Sequence, residues 1–174
     1  MAEVSDSRLA SRDLVRAFGN VQALDSVTVN FQRQSIHALL GENGAGKTTL
    51  IKALSGLERP DAGAVLIDGK PVEVNSPTDA FEHGVAVVQQ ELAMCPDLTL
   101  LENLVLGNEP MTRGRIDWRA ARRRAKDIAE SIGVEIQWNS RAGNNVVGTL
   151  QQVEIVRCLF RGADTLLLDR KSVV

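Results

Sequence analysis

Residues 41–49 read GENGAGKTT, and no other stretch restricts the fold of this chain as much. The pattern G-x-x-x-x-G-K-[ST] is met at every fixed position, by Gly41, Gly46, Lys47 and Thr48. The run SIHALL leads into it, and LIKALSGL leaves it at helical spacing up to Gly56. A continuous apolar run predicts a strand buried on both faces, and a glycine just past a helix predicts its left-handed end. Gly44 and Gly46 let the backbone curl so that successive N–H groups point inward, where the positive end of the following helix adds to them. That arrangement suits phosphate oxygens. In such a loop Lys47 neutralises the outer phosphates and Thr48 offers its hydroxyl to Mg²⁺.

The remaining pattern is that of an α/β chain. Val27, Val29 and Phe31 alternate with Thr28, Asn30 and Gln32, which predicts a half-buried antiparallel strand. Asp68-Gly69 between β-rich runs predicts a hairpin. Ser76 before Pro77, with Asp79 in the first turn and Gly84 at the end, predicts a capped helix ahead of the strand VAVVQ. From Asp117, the residues Trp118, Ala121, Ala125, Ile128, Ala129 and Ile132 recur at helical spacing. Leu150, Val153, Val156, Leu159 and Phe160 form a second stripe before Gly162. The run Thr165 to Leu168 predicts a buried strand that delivers Asp169, either to a ligand or simply as a strand-end cap. With the phosphate loop in place, Asp169 is also a candidate to help hold Mg²⁺.

Composition excludes several alternatives. At 174 residues, 44% hydrophobic and with net charge −2, the chain has no global basic field for nucleic acid. Two Trp and four Phe are too few for a base-stacking surface, and no run approaches the ~18 apolar residues of a bilayer span. Cys95 and Cys158 lack metal-ligand spacing, and His37 and His83 lack partners at catalytic spacing. A reduced, cytoplasmic protein without a secretory signal is expected.

The stretches ALDSVTVNF, IHALLGENGAGKTTLIKALSGLERPDAGAVLIDGKPVEVNSPTDAFEHGVAVVQQEL, LTLLENLVLG and QQVEIVRCL, in that order, resemble the ATP-binding cassette proteins that power membrane transporters. The likeness is strongest to sugar-importer ATPases of the ribose, galactose and xylose type. It implies a single nucleotide-binding domain over residues 1–174: a P-loop NTPase fold with a mixed sheet, an antiparallel β subdomain and a helical insert at about residues 96–145. The implied cofactors are ATP and Mg²⁺. The implied nucleotide-binding set is Phe18, Gly41, Glu42, Asn43, Gly44, Ala45, Gly46, Lys47, Thr48, Thr49 and Gln90, and the implied metal set is Thr48, Gln90 and Asp169. Phe18 either stacks on adenine or packs in the core. Gln90 either senses the γ-phosphate or merely ends a strand. Integral membrane permease subunits, a second ATPase cassette and, indirectly, a periplasmic sugar-binding protein are the implied partners, at the inner face of the plasma membrane.

The chain also departs from this pattern. Leu150 runs directly into Gln151, with no L-S-x-G-Q-type signature, and Arg170 stands where the family has a glutamate. A guanidinium accepts no proton, so general-base help of about 10²- to 10⁴-fold is lost. Gln34 stands where the family turns through glycine, and is strained if that turn needs a positive φ. The sequence stops before the family's later switch histidine, so an incomplete cassette is expected. The resemblance thus implies the ATP-binding subunit of a bacterial carbohydrate importer with impaired hydrolysis. A non-catalytic nucleotide-binding fragment is the second expectation. A soluble cassette relative acting in DNA repair or translation is the third, opposed by the membrane-docking insert.

Overall fold

The computed structural model of the chain describes residues 7–88 and 93–169. They divide into two compact units, Met1–Val87 and Val88–Val174.

In the first unit, β1 (Ser7–Phe18) and β2 (Val21–Gln32) form a long antiparallel hairpin that turns through Gly19 and Asn20. Helix α1 (Lys47–Leu54) follows the glycine loop, and Gly56 at φ 72° ends it as expected. Next come β3 (Ala62–Ile67) and β4 (Lys70–Val72), giving the sheet order β2-β1-β3-β4. Asp68 and Gly69 both have positive φ, 53° and 73°, the backbone of a tight hairpin turn. Registers shift repeatedly in β1 between Ser11 and Ala17, so the strand is bulged just before its tip. Leu9, Leu14, Leu24, Leu50, Leu54 and Val65 are buried in this unit. Helix α2 (Pro77–Glu82) begins where the sequence indicates: the Ser76 hydroxyl accepts the Asp79 N–H at 3.2 Å. Strand β5 (Val85–Val88) follows Gly84.

The run SIHALL departs from expectation. Residues 35–40 form no strand, and Ile36 and Leu40 are 101% and 90% exposed. A run apolar on both faces becomes a strand only between neighbours that satisfy its N–H and C=O groups and cover its sides. Among the described residues no strand pairs with its backbone. Before it, Gln34 does take a positive φ, 52°, as the turn reading required.

The second unit is mainly helical. Helix α3 (Leu100–Val105) opens on a capping box, in which Thr99 and Glu102 satisfy each other's backbone N–H groups. A small hairpin, β6 (Met111–Thr112) with β7 (Arg115–Ile116), leads to α4 (Trp118–Ser131), whose cap Asp117 accepts the Ala120 N–H at 2.9 Å. Ala121, Ala125 and Ala129 on α4 are buried in one core with Leu100 and Leu104 of α3 and Val153, Val156 and Phe160 of α5 (Val147–Arg161). Trp118 and Ile132, assigned to the same stripe by spacing, are 42% and 40% exposed, the first opening α4 and the second capping its end. Strand β8 (Thr165–Leu168) forms as expected, but only half-buried, with Leu168 exposed.

Candidate functional site

The loop 41–49 is built from the first unit alone. Gly44 and Gly46 have φ of 87° and 79°, values that side chains disfavour. At Gly46 a second constraint applies: an added Cβ would lie 2.3 Å from the Ala23 carbonyl oxygen and 3.2 Å from Leu24 Cδ2. The loop therefore seats against β2 only because this residue is glycine. The Ala45 N–H closes a turn onto the Glu42 carbonyl at 3.1 Å, and the Leu50 N–H bonds the Gly46 carbonyl at 2.8 Å.

Three backbone donors, the N–H groups of Gly44, Gly46 and Lys47, have no acceptor among the described residues. They lie at or just before the start of α1, where helix geometry leaves donors unpaired and adds partial positive charge. The Lys47 ammonium is drawn back over the loop, donating to the carbonyls of Gly41 and Glu42 at 2.7 Å each. A lysine and unpaired N–H groups at a helix start fit a polyphosphate. Thr48 is the second residue of α1 and is exposed.

Phe18 stands at the tip of the β1–β2 hairpin, paired with Val21. It is 48% exposed, so of the two readings of this residue the buried core phenylalanine is overturned. Ala23, against which the loop rests, is two residues along β2 from Val21. The exposed aromatic ring and the seat of the glycine loop thus lie on one hairpin.

Asp169 ends β8 in the second unit, half-buried, its N–H donating to the Val88 carbonyl at 3.3 Å. Gln90 and Arg170 lie outside the described residues. Helix α5 starts at Val147 with Val146 as its cap and no side-chain cap hydrogen bond, and both valines are exposed. Among the described residues no group of three or more His, Cys, Asp or Glu could hold a metal ion, and no helix is long and apolar enough to cross a membrane. His37 is structural: its Nε2 accepts the Gln32 N–H at 3.0 Å and its ring meets Phe31 edge-on. Cys158 is a poor nucleophile, because burial and the nearby Glu154 push its thiol above the ordinary value.

One cluster escaped the sequence reading: Arg16 with Glu58 and Asp61, joined at 2.5 and 2.8 Å. Arg16 is more than 40 residues from either acid, and only the pairing of β1 with β3 brings it to them.

A family model described as "ABC transporter" matches residues 24–171. The ribose import ATP-binding protein RbsA of Chromobacterium violaceum is 42% identical over 166 residues, 95% of this chain and 33% of that protein. The guanosine import ATP-binding protein NupO of Bacillus subtilis is 39% identical over 159 residues, 91% of this chain and 31% of its own. The chain therefore spans about a third of the length of these relatives. Among solved structures, a nucleotide-free ATP-binding cassette from an ABC transporter superposes with a TM-score of 0.77 at 24% identity, over 94% of this chain and 69% of that one. The cbiO1 protein of Clostridium perfringens gives the same TM-score at 23% identity, over 95% and 66%. Their likeness shows the fold, a mixed α/β cassette with an antiparallel subdomain, of which this chain covers part. Together with the family match across most of the sequence, it establishes that this chain belongs to the ABC transporter family.

Proposed function

We propose that the chain binds MgATP as the nucleotide-binding subunit of a bacterial importer for carbohydrates or nucleosides, with hydrolysis impaired. The observation that carries this reading is the set of N–H groups at Gly44, Gly46 and Lys47, left without an acceptor among the described residues at and just before the start of α1. These groups, with the Lys47 ammonium, hold the phosphates, and Phe18 offers its exposed ring to the base. Residues 41–49 supply the remaining contacts, and Gln90 approaches the γ-phosphate. Thr48 would offer its hydroxyl to Mg²⁺, which when bound would neutralise part of the triphosphate charge, and the family resemblance names Gln90 and Asp169 as the other residues that would serve it.

Relatives named for ribose and guanosine import support the importer assignment. A membrane permease, a second cassette and, indirectly, a periplasmic sugar-binding protein are its partners, and the inner face of the plasma membrane is its place. Impaired hydrolysis is supported by Arg170 in the glutamate position and by the absent signature before Gln151.

Calorimetric titration of the chain with MgATP tests the reading. One binding site is expected, weakened about 10- to 100-fold by Lys47→Ala, the cost of removing charge-assisted hydrogen bonds. Folded protein that evolves no binding heat refutes it. Multiple turnovers, lost in Lys47→Ala, refute the hydrolytic impairment while leaving nucleotide binding intact.

A further inference from the structure

We infer that Arg16 is a positioning residue that locks the Phe18 ring in place as a platform for a nucleobase, an inference that rests on the nucleotide-binding reading above. The guanidinium carbon of Arg16 lies 4.8 Å from the centroid of the Phe18 ring, within cation–π range. Two carboxylates clamp the same guanidinium. Nη1 donates to Asp61 Oδ1 at 2.8 Å and Nη2 to Glu58 Oε1 at 2.5 Å. Asp61 is itself tied to β1 on both sides of Arg16: its Oδ2 accepts the Ala17 N–H at 2.7 Å, and its own N–H donates to the Val15 carbonyl at 2.8 Å.

The clamp connects the ring to the phosphate loop. Glu58 lies in the turn after α1, past Ser55, Gly56 and Leu57, its N–H bonded to the Lys52 carbonyl at 3.1 Å, and α1 begins at Lys47. One short helix therefore presents phosphate donors at its start and, just past its end, an acid that fixes the aromatic platform. The Glu58 hydrogen bond, then that of Asp61, holds the guanidinium above its ordinary value, while the Ala17 N–H, then Arg16, holds Asp61 below its own.

An ordinary surface ion pair would not need such containment. Arg16 Nε is buried without an acceptor among the described residues, a cost that calls for a reason. Phe18, by contrast, keeps much of its surface in solvent. A half-exposed ring with one side held by a fixed cation is pre-organised for stacking, because its rotamer freedom is already lost before a base arrives.

The test titrates the full chain with MgATP and with magnesium tripolyphosphate, which has the phosphates and no base. Arg16→Ala is expected to weaken MgATP binding about 3- to 10-fold with tripolyphosphate affinity unchanged. Arg16→Lys should restore most of the difference. Glu58→Gln, which loosens the clamp without truncating the arginine, should give a smaller loss in the same sense and guards against an unfolded Arg16→Ala. Equal losses for both ligands in Arg16→Ala and Glu58→Gln, or no loss for MgATP in either, overturn the positioning role alone. Wild-type protein that binds neither ligand overturns the nucleotide reading and this inference with it.

Discussion

Single positions decide whether the loop can exist. Gly46→Ala combines a φ of 79° with a Cβ 2.3 Å from the Ala23 carbonyl oxygen, and backbone is the obstacle at both points. It should destabilise the first unit by about 2 kcal/mol or more and abolish nucleotide binding, read by thermal melts and calorimetry. Glu154 makes a different prediction. Burial pushes its carboxyl above the ordinary glutamate value of 4.5, against the opposing pull of Arg157 and Arg161. One oxygen reaches Arg157 at 2.9 Å, while Oε1 is buried without a partner among the described residues. A group whose folded pKa is raised binds its proton more tightly in the native state. Its contribution is present below the unfolded value and lost as pH rises through the folded one. Asp61, Asp79, Glu102 and Asp117, all held low, slope the other way as pH falls. The informative quantity is thus the difference in melting temperature between Glu154→Gln and wild type, which should grow as pH is raised from near 4.5. A flat difference would show that Glu154 does not titrate in the folded range.

Elements form where local chemistry and packing agree. Asn103 of α3 is almost fully buried and spends its whole side chain on the preceding loop. Its Oδ1 accepts the Cys95 N–H at 2.8 Å, and Nδ2 donates to the carbonyls of Cys95, Leu98 and Thr99 at 3.0 to 3.3 Å. Asn103→Ala should cost the second unit about 2 to 3 kcal/mol, visible as a lower urea midpoint at unchanged slope. The cap of α2 and the Asp68-Gly69 turn were legible in the sequence, because each rests on residues within four positions of one another, and the glycine loop was legible from the fixed spacing of Gly41, Gly46, Lys47 and Thr48. The α3 capping box, Thr99 to Glu102, was equally local and could have been found from its T-x-x-E spacing. SIHALL misled because hydrophobicity reports only that a run prefers burial, while strand formation needs neighbours from elsewhere in the chain. Arg16, Glu58 and Asp61 were invisible for the same reason: their meeting is made by strand pairing, not by spacing.

On the scale of the whole molecule, exposed apolar surface governs behaviour in solution. Ile36 and Leu40 stand almost fully open on a stretch whose backbone joins no described sheet. Light scattering should therefore detect concentration-dependent association, and Ile36→Lys with Leu40→Glu should reduce it without lowering the melting temperature. Unchanged association in that variant would place the sticky surface elsewhere. The bulges of β1 between Ser11 and Ala17 distort its pairing with β2, the edge strand of the sheet, and have the opposite consequence there. A kinked ribbon offers an invading strand no straight run of donors and acceptors to copy, so growth into fibrils is frustrated there while the tip stays open to small molecules.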